Sequence, residues 1–454
     1  MTDTTSEDNR TYPRPAYAWY VVVLMMFFYV LSFMDRQIIA VLIDPIKADL
    51  ALTDVQISLI GGVSFGLFYS IVGIFIGRLA DSMNRPFLIA AGVFIWSLTT
   101  ALCGLASKFW QLLVLRMGVG LGEAALLPST LSLLADYFPA NRRATPTSVF
   151  LLGAPIGIGL SFAIGGYLFS VAKELTATDG WADVAFVGGA AAWQLVLIFL
   201  GVLGMVMTAA MITVREPRSR ALQRAASDTS TPAAEPADLL TVRRYARKHR
   251  KAIVALYVTM AMISLAAYGQ GFWDIAYLIR TYELDTATAS FQYGMVQLFA
   301  GLAGMLTGGI VADRLSARGI DGASYRMVII GAAIATPFSF LYPIMDSKNL
   351  GLVFMALAIF GSNICFASAA AALQRMFPVV MIGVDAGVYY FLSNSIGLLV
   401  GPFAIAAGTD YILGDPDQIR YSISVVTGVA RAIGLLLVLW GLSAYLKTLA
   451  ETKE

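Results

Sequence analysis

Apolar residues run along this chain in long blocks, each close to the ~20 residues that cross a bilayer as a helix at about 1.5 Å per residue. The blocks fall at 17–43, 55–78, 86–106, 109–136, 144–171, 188–214, 252–279, 288–311, 327–345, 350–377, 382–408 and 422–446. Polar stretches separate them, and the longest, 215–250, divides the twelve blocks into two sets of six. The pattern predicts an all-α integral membrane protein. Its expected parts are a cytoplasmic tail over 1–16, a six-helix bundle over 17–214, a basic linker over 215–250, a second bundle over 251–447 and a short tail over 448–454. The first sixteen residues are polar and contain proline, and the block after them is too long for a signal h-region, so no cleavable signal is expected.

Basic residues orient these helices. About 22 Lys and Arg lie on the side of the two termini and about six on the other, which by the positive-inside rule predicts cytoplasmic termini and multi-pass insertion in the cell's inner (plasma) membrane. The linker carries Arg215, Arg218, Arg220, Arg224 and the cluster Arg243, Arg244, Arg247, Lys248, Arg250 and Lys251. This cluster reads as a topology anchor touching anionic headgroups rather than as a nucleic-acid site. Composition narrows the chemistry. With 58% hydrophobic and 13% charged residues and a mean hydropathy of +0.74, the chain is far from a soluble domain. Cys103 and Cys365 sit in apolar runs and His249 in a basic loop, so neither a disulfide, a metal site nor a cofactor is expected. The absence of a phosphate-binding loop argues against ATP-driven pumping, and the absence of a catalytic histidine, metal cluster or activated nucleophile argues against an enzyme.

Four charges stand inside the apolar blocks: Asp35 and Arg36 in the first, Arg116 and Glu123 in the fourth. Each costs about 2.5–3.5 kcal/mol at a bilayer centre, so such residues are rare, paired and functional by default. Asp35 and Arg116 lie at about the same depth. Glu123 follows Arg116 by seven residues, which returns it to nearly the same helix face about 10 Å deeper. Arg116 is therefore expected to be shared by two carboxylates at two levels. A buried carboxylate changes charge with small changes in water access or partner geometry, which nominates Asp35 and Glu123 as proton-coupling groups. Arg36 and Arg116 stay charged and present a planar fork suited to a phosphate or carboxylate. The competing reading is a salt-bridge network that merely pins two helices, but buried pairs seldom stabilise more than apolar packing does. Asp274, near the outer end of the seventh block, reads first as a water-exposed interface residue.

The two halves echo each other. Gly77-Arg78-Leu79-Ala80-Asp81 leading to Arg85 is matched by Gly309-Ile310-Val311-Ala312-Asp313-Arg314, and Phe138-Pro139 by Phe377-Pro378. Charges on the duplicated corner, Asp81 with Arg85 and Asp313 with Arg314 or Arg318, read as a gate at the cytoplasmic mouth. With Arg116-Met117-Gly118-Val119-Gly120-Leu121-Gly122-Glu123, Pro128 and the looser Gly153-Ala154-Pro155-Ile156-Gly157-Ile158-Gly159, these motifs resemble those of the major facilitator superfamily. Within that family Ser32-Phe33-Met34-Asp35-Arg36, Gly122-Glu123-Ala124 and Ala135-Asp136-Tyr137-Phe138-Pro139 are similar to the spinster branch of lipid transporters. The resemblance implies twelve helices in two six-helix halves with pseudo-two-fold symmetry, and alternating access. It also implies export of a lysophospholipid or sphingosine-phosphate-like amphiphile, in some members driven by protons. It adds Arg142, Arg143 and Asp385 to the gate, and a peripheral place for the twelfth helix, whose lone Arg431 is then read as snorkelling or structural.

Aromatic and amide residues complete the expected cavity: Tyr29 and Phe33 in the first block, Tyr268 in the seventh, Asn363 in the tenth and Asn394 in the eleventh. The glycines of the fourth and fifth blocks most often permit close helix packing, and Pro128 and Pro155 encourage bending. A cavity charged on one wall and apolar on the other suits an amphiphile. The expected function is a monomeric proton-coupled carrier of an anionic lipid, with the bilayer, protons and its substrate as partners and no nucleic acid. A carrier of a small organic anion or drug, and a non-transporting receptor, are the alternatives.

Overall fold

The computed structural model describes residues 12–139, 142–178, 180–183, 187–217, 239–377 and 382–453. Among these, twelve helices are long and apolar enough to cross a membrane, and none of the residues is in a strand. We number them α1 (Pro15–Val41), α2 (Asp54–Gly73), α3 (Arg85–Cys103), α4 (Phe109–Tyr137), α5 (Thr145–Thr176) and α6 (Ala192–Thr213). The second set is α7 (Arg250–Tyr282), α8 (Thr286–Ala317), α9 (Ala323–Ile344), α10 (Lys348–Met376), α11 (Gly387–Leu413) and α12 (Pro416–Glu451). The apolar blocks thus become helices because lipid offers no partner for a free backbone amide, and a helix satisfies its own. Local chemistry sets where some begin. Thr53 and Gln56 form a reciprocal capping box at the start of α2, Asn84 caps α3 with Pro86 in its first turn, and Asp285 caps α8 through the Thr288 amide.

Helices α1 to α6 pack among themselves through α1–α5, α3–α6, α3–α4 and α2–α4, and α7 to α12 through α7–α12, α7–α11, α9–α10 and α8–α10. Arg85 anchors one corner of the first set. It is fully buried, at 2.7 Å from Asp136 on α4 and 2.5 Å from Glu216 after α6, and it donates to the Ser132 carbonyl at 2.8 Å. Two glycines of the fourth-block motif are close approaches: a Cβ on Gly122 would meet the Trp96 amide nitrogen at 2.6 Å, and one on Gly120 the Phe65 carbonyl at 2.6 Å.

The sets meet along α5–α8, α2–α11 and α1–α7. This seam is tight toward the face away from the termini, where Gly62 backs onto the Leu398 carbonyl and Gly166 onto Ala287. Toward the face that carries the termini it separates: Gly73 beyond the middle of α2, Gly309 on α8 and Gly387 on α11 have nothing within 4 Å of where a Cβ would stand. The close approaches between the halves thus lie at the far face and the middle of the seam. Helices lining the seam are irregular. α2 contains a π-helical turn over Leu59–Ser64, α4 is interrupted after Glu123, and α5 after Leu151. Pro128 and Pro155, lacking the amide hydrogen of a helix-propagating bond, stand just past the last two breaks.

The 215–250 segment ends in a short basic helix, Leu239–Lys248. Tyr245 donates to the Met376 carbonyl at 2.5 Å, Lys248 pairs with Glu451 at 2.6 Å, and His249 Nδ1 lies 3.0 Å from the Thr448 hydroxyl. Burial holds the His249 imidazole below its ordinary value, so it is neutral at pH 7.

Candidate functional site

The four intramembrane charges of the first half do come together, but with the partners exchanged relative to the sequence expectation. Arg36 pairs with Glu123: its guanidinium donates to Oε2 at 2.8 Å, and Ser32 donates to the same oxygen at 2.8 Å. Oε1 of Glu123 is buried and has no hydrogen-bond partner. Arg116 instead donates to the Asp35 backbone carbonyl at 3.2 Å, and among the described residues it makes no ion pair within 4.0 Å of either carboxylate. Asp35 is turned toward Trp96 and Thr100 of α3 and lies within electrostatic reach of Arg116. All four side chains are nearly sealed, with 9% or less of each residue exposed.

The exchange follows from helix geometry. Neighbouring residues on a helix diverge by about 100°, so Asp35 and Arg36 cannot face the same space. Side chains also lean toward their helix's N-terminus. α1 and α4 run in opposite directions across the membrane, so Arg36 leans toward the terminal face while Glu123 leans away from it, and the two meet. Arg116 leans toward the far face, away from Glu123, and so is not shared.

Aromatic rings close around this pair. The Arg36 guanidinium carbon stands 4.7 Å from each of the ring centroids of Phe33, Phe65 and Tyr69, and that of Arg116 5.5 Å from Phe65. A desolvated cation–π contact contributes about 2 kcal/mol, so the cage holds the cation where water does not reach it. Tyr29 stacks on Phe150 at 4.8 Å and meets Phe33 edge-on at 5.1 Å. Across the seam, Tyr268 donates to Asn394 Oδ1 at 3.0 Å and lies within electrostatic reach of Arg36, while Ser395 donates to Ser70 at 3.3 Å. Tyr29, Phe33, Arg36, Tyr268 and Asn394 thus share one region between the halves. Asn363 does not join it: its amide donates to its own helix at the Ile359 carbonyl, beside Gly301 of α8.

The expected gate residues do not bridge the halves. Arg85 is spent inside the first half, and Arg142, Asp313 and Arg314 are exposed and form no ion pair among the described residues. The side chains of Asp81 and Asp385 lie outside the described residues.

A charge cluster that the sequence reading passed over closes the far face instead. Arg280, at the end of α7, holds Asp44 at 2.7 Å and Asp54 at 2.8 Å, and Lys47 holds Asp54 at 2.6 Å. Asp410 of α11 accepts from the Val55 amide at 2.7 Å. Carboxylates of the first half and an arginine of the second therefore latch the halves together. The only signal in sequence was the position of these charges at the ends of apolar blocks.

Two further sequence readings are corrected. Asp274 is not exposed to water: it is 0% exposed and accepts from the Tyr342 hydroxyl at 2.6 Å. Arg431 does not snorkel to lipid headgroups. It is 1% exposed and donates to Ser339, to Gln270 at 2.5 Å and to Ser362 at 2.9 Å. α12 packs along α7 and α9, which places Arg431 inside the bundle.

A bundle with twelve membrane-spanning helices in two halves, packed around a buried ion pair, is the architecture of a membrane transporter. Residues 25–402 match the family model described as Major Facilitator Superfamily, and the chain belongs to that superfamily. It is a multi-pass membrane transporter rather than an enzyme. It is 27% identical over 402 residues to an MFS-type efflux pump of Mycolicibacterium smegmatis, covering 88% of this chain and 86% of that protein. It is also 27% identical over 301 residues to the sphingosine-1-phosphate transporter SPNS2 of Danio rerio, covering 63% of this chain and 55% of that one. A crystal structure of a bacterial homologue of the human lysosomal transporter Spinster, inward-facing and unoccupied, superposes with a TM-score of 0.79 at 21% identity, over 97% of this chain and 99% of that one.

Proposed function

We propose that this protein is a proton-coupled secondary transporter that moves an anionic, lipid-like amphiphile out of the cytoplasm. The terminal face is then cytoplasmic, in keeping with its excess of Lys and Arg, the membrane is the plasma membrane, and the state described is inward-open. The halves, divided at the 215–250 linker, rock about the seam.

The observation that carries this reading is the Glu123 carboxylate, whose Oε2 holds Arg36 and Ser32 while Oε1 is bare. A proton taken on Oε1 leaves the Ser32 bond in place and removes the negative charge that Arg36 faces. The caged guanidinium then needs another anion, and a phosphate headgroup entering from the open mouth supplies it. Headgroup and proton are thereby linked through one cation. Arg36, rather than Arg116, is the headgroup ligand, with Arg116 and Asp35 as a second charged level behind it. Apolar and amide groups of α7 and α11 face this charged wall across the seam, which suits an acyl tail. The names of the efflux pump and of SPNS2 are consistent with export and with a phosphorylated amphiphile.

Uptake of a panel of labelled lysophospholipids, sphingosine phosphate, short-chain phosphates and carboxylates into proteoliposomes, with and without a pH jump, tests the reading. Transport is expected to rise with acyl length and with the proton gradient. Glu123→Gln is expected to abolish the pH response, and Arg36→Ala to weaken binding of anionic lysolipid at least ~10-fold more than that of a neutral analogue. Uptake independent of chain length transfers the cargo to a small organic anion. Binding without flux makes the protein a receptor.

A further inference from the structure

The second half contains a buried charge system that the mechanism above leaves unused. Gly271-Phe272-Trp273-Asp274 on α7 shares with Ser32-Phe33-Met34-Asp35 on α1 a phenylalanine two residues before an aspartate, in the first helix of each half. Its Oδ1 accepts from Tyr342 at 2.6 Å, and its Oδ2, buried, has no partner. Gln270 donates to the Tyr342 hydroxyl at 3.0 Å and accepts from Arg431 at 2.5 Å. Every donor in this chain points the same way, from Arg431 through Gln270 and Tyr342 to Asp274. Arg431's other acceptors, Ser339 and Ser362, are neutral, so the one anion that balances it is reached through the relay.

Among the described residues, the other groups around the carboxylate are neutral hydroxyls and a thiol. Tyr277 on α7 and Tyr293 on α8 face it with hydroxyls, Tyr342 closes it from the end of α9, and Cys365 on α10 lies toward Arg431. Tyr277 and Tyr282, 3.0 Å apart, stand between Asp274 and the far-face end of α7. Six residues beyond Asp274, about 9 Å along α7, stands Arg280 of the far-face latch, stacked on Trp273 at 5.7 Å.

We infer that Asp274 is a second proton-binding carboxylate of this carrier, loaded from the far face and coupled through α7 to the Arg280 latch. This rests on the proton-coupled reading of the protein. A proton from external water forms an O–H bond at Oδ2, the free oxygen, and Tyr342 keeps Oδ1. The net charge on the carboxyl goes from minus one to zero, the relay loses its anionic end, and the attraction drawing α7 toward α12 falls to the hydrogen bond from Arg431 to the neutral Gln270. α7 is then released from the position in which Arg280 reaches Asp44 and Asp54. The first half and the second half each carry a protonatable carboxylate under this scheme, and the second acts on the far-face latch through the helix that bears Arg280.

Distances between spin labels at Ala48 and Glu283, both exposed on the far face, read the latch directly in the full-length protein in nanodiscs. The closed fraction is followed from about pH 5 to about pH 9. The wild type is expected to titrate in two components. Glu123→Gln with Asp35→Asn removes one, Asp274→Asn removes the other with about half of the amplitude, and the combined variant is flat. Tyr342→Phe, which keeps the ring, retains both amplitudes but displaces the midpoint of the second component. A wild-type response untouched by Asp274→Asn overturns the inference and leaves proton coupling at Glu123 standing. A wild type with no pH response overturns both. If Asp274→Asn does not fold, an unmoved midpoint in Tyr342→Phe overturns the inference on its own.

Discussion

Replacing Arg280 with alanine is expected to open the far face. The side chain is 7% exposed and its guanidinium holds two carboxylates, Asp44 at 28% side-chain exposure and Asp54 at 0%. Removing one partner of a buried, hydrogen-bonded charge pair costs about 2–5 kcal/mol, much of it from the charge left behind. Lys47 stays on Asp54 at 2.6 Å and water reaches Asp44, so the low end applies. About 2 kcal/mol multiplies the open-to-closed ratio of the far face roughly 30-fold. A cysteine at Ile57, which is fully buried beneath the latch, reports this through its rate of reaction with a membrane-impermeant maleimide, in a background with Cys103 and Cys365 replaced by alanine. Labelling from outside is expected to accelerate about 30-fold in Arg280→Ala, and under about 5-fold in Asp44→Asn, whose carboxylate is already partly solvated. An Arg280→Ala rate within about 3-fold of the parent refutes the latch, because the pair would then contribute under about 1 kcal/mol to closure.

Two simpler substitutions test the packing that carries the site. Gly122→Ala drives a methyl group into the α3 backbone at 2.6 Å from the Trp96 nitrogen and 2.7 Å from the Gly92 carbonyl, and is expected to cost about 1–3 kcal/mol, seen as a lower melting temperature in detergent. Arg85→Ala removes the cation that pairs with Glu216 and Asp136 and is expected to cost about 2–4 kcal/mol of stability while leaving the Ile57 labelling rate unchanged, because these pairs lie on α4 and directly after α6.

The helices were legible in the sequence because a bilayer imposes length and polarity on each segment separately, and no long-range information is needed to see a run of twenty apolar residues. The candidate site was legible in its membership but not in its pairing. Charges in apolar blocks announce themselves, which is why Asp35, Arg36, Arg116 and Glu123 stood out. Which of them touch depends on side-chain lean and on the 100° step between neighbours, and a depth estimate along the helix axis contains neither. Asn363 was misjudged in the same way, since a polar residue on a cavity-forming helix has as good a chance of facing its own bundle. The far-face latch was hidden for a different reason. Asp44, Asp54 and Arg280 sit at helix ends, where charge is ordinary, and only the fold brings residues 226 and 236 positions apart into contact. Asp274 and Arg431 were undervalued because each looked solitary, and the groups that connect them, Gln270 and Tyr342, carry no charge to draw notice.

The adjacency of Asp35 and Arg36 has a mechanical side. Each faces a different direction from one helix, and each is engaged by a different residue of α4, Arg116 nearer the far face and Glu123 nearer the terminal face. A single peg lets a rod swivel; two pegs set at an angle and at different heights hold it against both twist and tilt. α1 and α4 therefore travel as one solid piece, and the strain of any motion passes to the seam with the other half. Replacing Glu123 with glutamine draws one peg and returns to α1 a freedom to turn that no loosening of the seam alone provides.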